Sequence, residues 1–342
     1  MIKSHQVNLP NNFEFLVEGF VNYSDGEKLF YSKGKTLYEL RNGKSKKIIS
    51  LHKNIFDKIL SEYSLYLRFT RSHIQHVLPI DEKHLLIFVS GEIFFIDILK
   101  KQFIQKTKIN GSQPLQIAKF CDRVYYGEYI RSRNKPPINL LKSTPPFKKW
   151  KVVKTFDNVR HIHGVFNDPY TNTLWITTGD DDSESRIIRL NETNYDVIES
   201  IGGSQMYRAV TLLFTKDYIY YGTDTPLERN YIYRIDRKTM ETEKLVEVGG
   251  PVFFGTIVNH NLYFSTACEP GNYNRSDSFE LWESTDGKEW KTKHTFKKDI
   301  WHNKLFRYGL IFFPSGPGDG KNLRFTTMAT KNEFKVFEMP VL

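Results

Sequence analysis

Four carboxylic acids recur at the end of short runs rich in aromatic and β-branched residues. They are Glu128 after VYYG, Asp180 after LWITTG, Asp224 after YIYYGT and Glu269 after LYFSTAC. Two carboxyl groups around one cleft can provide a general acid with a raised pKa and a partner that stays ionised, as glycoside hydrolysis requires. We predict Glu128 and Asp180 as the catalytic pair, with Asp224 and Glu269 next and also as substrate-binding groups. Hydrogen bonding within a strand-end turn is the structural alternative for each acid.

Two histidines, His161 and His163, belong to the segment HIHG. Because they are two residues apart on a predicted strand, both side chains point to the same face. One histidine could abstract a proton α to a uronate carboxyl group while Arg208 neutralises that carboxylate and Tyr129 protonates the leaving oxygen. This set predicts a polysaccharide lyase as the alternative. The hydrolase ranks above it because four aligned acids outnumber the histidine pair.

The acidic segment GDDDSES supplies a candidate metal site. Asp180, Asp182 and Glu184 with the two histidines could bind a divalent metal such as calcium, since imidazole and carboxylate are suitable ligands. The segment does not match the calcium-binding loop of an EF-hand, because the required glycine is missing. An acidic surface loop is the structural alternative, and the sequence indicates no other cofactor.

Three further polar residues are candidates for substrate binding. Gln205 lies in GSQMYRAV, which the repeat spacing places near the acids. Arg68 and Arg71 lie at the end of the one segment with helical periodicity, where they could meet an anionic substrate. Pairing with carboxylates or with the carbonyl groups at the end of the helix is the structural alternative for both arginines.

The spacing of the acids predicts the elements that must position these side chains. The intervals between the four acids are 52, 44 and 45 residues, close to the roughly 40 to 50 residues of a four-stranded propeller blade. Extending this register predicts an all-β, seven-bladed propeller, with six blades as the alternative. Residues 1–342 then form one domain in which residues 12–51 form the first blade and one helix at about 54–70 is inserted. Residues near Phe13 are expected to complete the last blade and close the ring.

Composition limits the partners. A formal net charge of +10 favours an anionic partner, and we expect an acidic polysaccharide or oligosaccharide. No basic run with interleaved aromatic residues indicates nucleic-acid binding, and no stretch is apolar enough for a membrane span. Cys121 and Cys268 give no disulfide framework. Without an apolar signal segment at its start the sequence predicts a cytoplasmic protein, or an extracellular one if a signal has been removed.

Two short motifs carry a resemblance to a known superfamily. The segment from Ser284 to Trp290, STDGKEW, resembles the Asp box of BNR-repeat, sialidase-like propellers, and the segment from Ser143 to Trp150 resembles a degraded copy. The resemblance implies a propeller in which Asp286 accepts hydrogen bonds in a hairpin turn and Trp290 packs between sheets. It implies no catalytic role for either residue.

The central half of the chain is similar to a bacterial glycosyl-hydrolase-like group with BNR repeats. The similar segments are GEY, HIHG, TGDDDSES, GSQMYRAV and GTDTPLERNYIYR. This similarity implies a carbohydrate-related role. The arginine triad and the R-I-P motif of true sialidases are not matched, so sialidase activity is disfavoured. A non-catalytic propeller that binds glycans or proteins is the third alternative, because a fold does not fix a function.

Overall fold

Each blade-sized interval of the sequence folds into a four-stranded antiparallel sheet. The computed structural model describes residues 12–130, 134–275 and 277–341. Within this part of the chain there are seven such sheets, and they form a seven-bladed β-propeller. The prediction of an all-β, seven-bladed propeller is confirmed, and the six-bladed alternative is wrong.

The four strands of each blade are consecutive in the sequence, with one exception: the first strand of the chain belongs to the last blade. The first strand and those of blades 1 to 3 are β1 (Glu14–Glu18), β2 (Phe20–Ser24), β3 (Leu29–Lys33), β4 (Thr36–Arg41), β5 (Lys44–Ser50), β6 (Ile74–Pro79), β7 (His84–Val89), β8 (Glu92–Asp97), β9 (Gln102–Lys108), β10 (Ile117–Phe120), β11 (Arg123–Gly127), β12 (Ile138–Ser143) and β13 (Lys151–Phe156). Those of blades 4 to 7 are β14 (His161–Asp168), β15 (Thr173–Gly179), β16 (Arg186–Leu190), β17 (Val197–Gly202), β18 (Ala209–Phe214), β19 (Tyr218–Thr223), β20 (Asn230–Asp236), β21 (Thr242–Val248), β22 (Val252–Val258), β23 (Asn261–Thr266), β24 (Ser278–Ser284), β25 (Lys291–Lys297), β26 (Leu310–Phe312), β27 (Asn322–Met328) and β28 (Lys335–Pro340). The first strand of each blade is the inner one, since β10, β14, β18 and β22 contact one another in sequence order.

Strand β1 closes the ring by pairing with β28, so blade 7 combines the two ends of the chain. Phe15 lies opposite Phe337 in this antiparallel pair, and the ring of Phe13 packs on Phe325 at 5.2 Å between centroids. The predicted closure by residues near Phe13 is therefore present. The segment FEFLV is not the first strand of blade 1, because the chain changes blades at Gly19, which has a φ of 144°. There a Cβ atom would lie 2.7 Å from the ring of Tyr31, so this crossing requires glycine.

Aromatic side chains fill the spaces between neighbouring blades. Trp150 packs against Tyr126 and Phe88 at 4.8 and 6.2 Å between centroids. Trp290 stacks on Phe264 of its own blade at 5.3 Å and packs against Tyr220 of the preceding blade at 6.3 Å. The Asp286 carboxylate accepts hydrogen bonds from the backbone N–H groups of the second and third residues after it, at 2.8 and 2.9 Å. These are the contacts that the resemblance implied for this turn. Membership of the BNR superfamily stays a prediction.

Helices interrupt the propeller at two places. Between blades 1 and 2 the predicted single helix at about 54–70 is two helices, α1 (Ile55–Leu60) and α2 (Ser64–Thr70), and a third, α3 (Asn303–Phe306), precedes β26. The first helix ends because the Ser61 hydroxyl donates to the Lys58 carbonyl at 3.1 Å, an arrangement that competes with helix continuation. In the described residues no helix has the length and apolar character to cross a membrane.

Histidines whose pKa values are lowered by burial make stability depend on pH. Burial lowers the pKa of His76 to about 4, while in the unfolded chain the pKa is near its ordinary value of about 6.5. Between these values the unfolded state binds more protons, so stability is lost as the pH falls from about 6.5 to about 4, by at most about 1.4 kcal/mol per pH unit for this group. Burial also lowers the pKa of His73.

We therefore expect His76→Gln to reduce the slope of unfolding free energy against pH in this range, because glutamine can still donate to the Pro114 carbonyl that His76 contacts at 3.0 Å. Denaturant unfolding at several pH values measures the slope. The exposed His260→Gln is the control. An unchanged slope in His76→Gln would contradict this assignment.

Candidate functional site

The ends of the second strands and the connections between blades meet at one end of the propeller and enclose a cavity of about 930 Å³. We call it the mouth cavity. Asp180 follows β15, Asp224 follows β19 and Glu269 follows β23, so three of the four recurring acids line this cavity from successive blades. Tyr129, His163, Arg208 and Arg71 also line it. The repeat thus brings together most of the predicted site residues.

Asp180 is the centre of a compact cluster on the wall of the mouth cavity. Its Oδ1 atom lies 3.3 Å from Nε2 of both His161 and His163 and 3.0 Å from Nη2 of Arg208. Burial alone would raise the pKa of Asp180, but the interactions with the two histidines and the charge of Arg208 outweigh it and hold the pKa well below its usual range. Asp180 is therefore ionised at neutral pH.

The two histidine rings are 4.9 Å apart between centroids, and their Nε2 atoms are 3.0 Å apart. A β-bulge between Ile162 and Gly164 turns strand β14 at His163. The Nδ1 atom of His163 contacts the Ala209 carbonyl at 3.1 Å, and burial lowers the pKa of this imidazole to about 4. Gly179 leaves room for the ring, because a Cβ atom there would lie 2.8 Å from Cε1 of His163.

Arg208 links the cluster to the next blade. Its Nε atom lies 3.6 Å from Oδ2 of Asp224, while Nη1 donates to the backbone carbonyl of Asp180 at 3.1 Å. Burial raises the pKa of Asp224 far above its ordinary value, and the nearby charges of Glu269 and Asp180 add to this effect while Arg208 opposes it. One guanidinium group therefore lies between an ionised carboxylate and a carboxyl group that favours its protonated form.

Glu269 is the third acid of the mouth cavity. Burial raises its pKa, and the charge of Asp180 acts in the same direction, while a hydrogen bond with Tyr308 and the charge of Arg208 act against it. The glutamate is only partly buried, so it is more accessible from the cavity than the buried Asp224. In turn, burial and the charge of Glu269 raise the pKa of the Tyr308 hydroxyl.

The acidic loop after β15 supports the cluster. Gln205 donates to the Asp180 carbonyl and to the Asp182 carboxylate, both at 2.9 Å. Buried Glu184 accepts from the backbone N–H groups of Arg160 at 2.9 Å and Asp180 at 3.3 Å. Asp182 and Glu184 therefore hold the loop in place. Among the described residues the one group of three candidate ligand atoms within 4.8 Å of one another is that of His161, His163 and Asp180, which differs from the predicted set.

Two predicted site residues lie elsewhere. Glu128 is buried and outside the lining of the mouth cavity, and its carboxylate accepts from the side chains of Asn110 and Asn139 and from the Asn139 backbone N–H. Along the extended segment after β11 successive side chains alternate, so Glu128 points into the blade while Tyr129 reaches the cavity and stacks on His161 at 4.0 Å. Its surroundings correspond to the structural alternative for this acid.

Arg68 is also outside the lining of the mouth cavity. It is completely buried and donates to Asp299 at 2.5 Å and to Glu333 at 3.0 Å. The structural alternative, pairing with carboxylates, therefore describes Arg68. Arg71, three residues later, does line the mouth cavity, as the sequence predicted for one of the two arginines.

Several lining residues were missed by the sequence reasoning. Among them are Tyr308, Phe253, Phe254, Phe312 and Arg307. These five lie in blades 6 and 7 or in the connection between them, and none of them lies at the end of a second strand, where the recurring acids lie. Only the position of these residues in the sequence could have identified them. They lie in or directly before the inner strands, and these segments of a propeller face its axis.

Four buried polar atoms around the site have no hydrogen-bond partner. Among the described residues, Nδ1 of His161, Oε1 of Gln205, Nε of Arg208 and Oδ1 of Asp224 are buried without a hydrogen-bond partner. Buried polar groups in folded proteins are almost always paired, so a cluster of unpaired ones indicates a place where ligands, ions or ordered water complete the bonding.

Comparison with known proteins supports the fold alone. No protein-family model matches the sequence, and no curated protein matches it. Among solved structures, the chain is similar to one in the crystal structure of the mitotic checkpoint complex, with a TM-score of 0.58 and 9% sequence identity over 100% of this chain and 99% of that chain. That neighbour is a WD40-type propeller. At such identity the similarity concerns architecture and not function.

Proposed function

We propose that this seven-bladed propeller is a glycoside hydrolase that cleaves an acidic saccharide in the mouth cavity, with Glu269 as general acid and Asp180 as its ionised partner. The observation that carries the proposal is that one cavity holds carboxyl groups whose pKa values are shifted in opposite directions. Such divergence is how enzymes assign acid and base roles to chemically similar groups. Glycoside hydrolysis needs one carboxyl group of each kind.

Glu269 is preferred to Asp224 as the acid because it is the more accessible of the two. Asp224 instead lies 3.6 Å from Nε of Arg208, the guanidinium that contacts Asp180 through Nη2. Arg208 fixes the orientation of Asp180 and keeps it ionised. The arginine does not exchange protons with Asp180, because a guanidinium stays charged in proteins. Glu128, the acid first predicted from the sequence, takes no part in this scheme.

The lining of the mouth cavity suits an anionic saccharide. Three phenylalanine rings, Phe253, Phe254 and Phe312, provide apolar surface, and polar side chains from other blades lie around them. The cationic side chains of the lining are those of Lys35, Lys53, Arg71, Arg208 and Arg307. The lining holds four acids, Asp57, Asp180, Asp224 and Glu269, so its five cations are in excess, and the raised pKa values of Asp224 and Glu269 add to this excess, which favours a carboxylated or sulfated sugar.

The lyase alternative has a specific difficulty. In that mechanism Arg208 would neutralise the substrate carboxylate, yet this guanidinium already lies between Asp180 and Asp224. The histidines that would act as base face Asp180 and each other. The proposed hydrolysis uses Glu269 and Asp180, so Arg208 and the histidines can keep these contacts.

The experiment is a screen of the purified protein against neutral, uronate-containing and sulfated polysaccharides and oligosaccharides. Reducing ends, the ultraviolet absorbance of unsaturated uronates and product masses are measured. New reducing ends without the unsaturated chromophore support the proposal. Unsaturated products would replace it with the lyase, and saturable glycan binding without cleavage would replace it with the binding propeller.

A further inference from the structure

The cluster on the wall of the mouth cavity has the composition and spacing of a metal centre. We propose that His161, His163 and Asp180 bind one divalent first-row transition metal ion, with zinc and manganese as the leading candidates. This inference does not depend on glycan cleavage, since a propeller that only binds its ligand could hold the same ion. It keeps the two histidines and Asp180 from the ligands predicted from the sequence and leaves out Asp182 and Glu184, which hold the loop.

The distances between the three ligand atoms support a shared ion. Nε2 of His161 and Nε2 of His163 are 3.0 Å apart, and each lies 3.3 Å from Oδ1 of Asp180. Ligands bound at about 2.1 Å from one metal are about 3.0 Å apart when they subtend a right angle and about 3.4 Å apart at the tetrahedral angle. All three edges of the triangle fall in this interval.

The hydrogen-bonding chemistry of the triangle also favours a cation. Nδ1 of His163 faces the Ala209 carbonyl, which can only accept, so in the neutral ring this nitrogen carries the proton and Nε2 presents a lone pair. That lone pair points at a carboxylate oxygen and at the second imidazole. Only the proton on Nε2 of His161 can form a hydrogen bond within this triangle of two nitrogens and one carboxylate oxygen. A metal ion would bind a lone pair of all three atoms at once.

The surroundings of His163 match those of known metal-binding histidines. Such histidines usually donate their second ring nitrogen to a carbonyl or carboxylate, as His163 does to Ala209. The ring of His161 is fixed by stacking on Tyr129. Arg208 contacts the same Asp180 oxygen at 3.0 Å, but a carboxylate has enough lone pairs to accept this bond and bind a metal. Two imidazoles and one carboxylate suit zinc, manganese or iron, while calcium prefers a shell of oxygen ligands.

Three protein ligands leave coordination positions open, and His163 and Asp180 both line the mouth cavity. Open positions are typical of catalytic rather than structural metal sites. We therefore expect exchangeable ligands, such as water or an oxygen of the bound molecule, at those positions. The site lies beside the unpartnered atoms of Arg208 and Asp224, so an ion and a substrate oxygen would share one corner of the cavity.

The test uses the full chain, stripped with a chelator and titrated with zinc, manganese and calcium chlorides in a calorimeter. One zinc or manganese ion per chain is expected, with much weaker binding of calcium. Replacing the ion by cobalt(II) is expected to give visible absorption bands that report nitrogen and oxygen ligands. This spectrum is measured on the unaltered protein, so it remains informative if a variant does not fold.

The variants are His161→Gln, His163→Gln and Asp180→Asn, and each is expected to weaken binding at least about 100-fold. The matched control is His84→Gln, because His84 pairs with Asp81 at 2.8 Å on the surface and offers the same ligand types without a third partner. The control should bind as the unaltered protein does. Absence of saturable binding by the unaltered chain, or unchanged affinity in any of the three site variants, would overturn the proposal.

Discussion

Replacing Glu269 with glutamine is expected to slow glycan cleavage by about 100- to 10,000-fold, the contribution of a positioned general acid. Glutamine keeps the size of the side chain and can still hydrogen-bond with Tyr308, so the fold should be retained. It cannot transfer a proton to the leaving oxygen. Cleavage rates measured on the saccharide found in the screen, with circular dichroism as a check of folding, give the result.

Substrates with different leaving groups distinguish a general acid from a residue that only supports the structure. A phenol with a low pKa leaves the saccharide without being protonated. Glu269→Gln should therefore cleave a substrate with such a leaving group at a rate much closer to that of the unaltered enzyme. Asp180→Asn should stay slow on the same substrate, because it removes the ionised partner. If Glu269→Gln were equally impaired on both substrates, Glu269 would not be the acid.

The pH profile gives an independent check on the same residue. Because burial raises the pKa of Glu269, the acid form should persist above the ordinary range of a glutamate, and activity should fall as the pH rises through the raised value. This falling limb should disappear in Glu269→Gln. The control is Glu128→Gln, which changes a buried carboxylate outside the mouth cavity and should retain activity within a few-fold. A larger loss in Glu128→Gln than in Glu269→Gln would reverse the assignment.

The blade count could be predicted from the sequence because a propeller repeats one four-stranded unit, and in four of the blades an acid follows the second strand. The same repetition placed Asp180, Asp224 and Glu269 around one cavity. It failed for Glu128 because the distance from a strand end does not determine which way a side chain points. A shift of one residue turns each side chain to the other face, and β-bulges cause such shifts in most blades, as between Ile162 and Gly164.

Other features depend on contacts between distant segments and leave no local signal. FEFLV looks like the first strand of blade 1, and only the crossing at Gly19 transfers it to blade 7. The proximity of His161 and His163 was predictable from their spacing, whereas their common contact with Asp180 needed the pairing of β14 with β15. Arg68 is the strongest case, because its carboxylate partners lie 231 and 265 residues further along the chain.

Replacing Arg68 with alanine is expected to lower the free energy of unfolding by about 3 to 5 kcal/mol, the usual cost of removing one partner of a buried ion pair. Arg68 is fully buried, and the side chains of Asp299 and Glu333 are only 15% and 13% exposed. The guanidinium also donates to the Phe306 carbonyl at 2.6 Å. Its loss leaves two largely buried carboxylates without their main cation and disconnects α2 from blade 7.

The pH dependence of this loss follows from Asp299. Burial alone would raise the pKa of Asp299, but the hydrogen bond and charge of Arg68 outweigh it and lower the pKa. A carboxyl group with a lowered pKa contributes stability that is present above its unfolded pKa and is lost as the pH falls through the folded value. The difference between Arg68→Ala and the unaltered protein should therefore be largest near neutral pH and should shrink in acid.

Equilibrium unfolding in urea measures both effects, and two further variants define their cause. Arg68→Lys keeps the charge but loses the planar fork that contacts Asp299 and Glu333 together, so its stability should lie between those of the unaltered protein and Arg68→Ala. Arg229→Ala is the matched control, because Arg229 pairs with Glu247 on the surface, where the side chains are 59% and 47% exposed. Such a pair contributes about 0 to 1 kcal/mol. Equal losses in Arg68→Ala and Arg229→Ala would mean that the buried cluster does not hold α2 to the propeller.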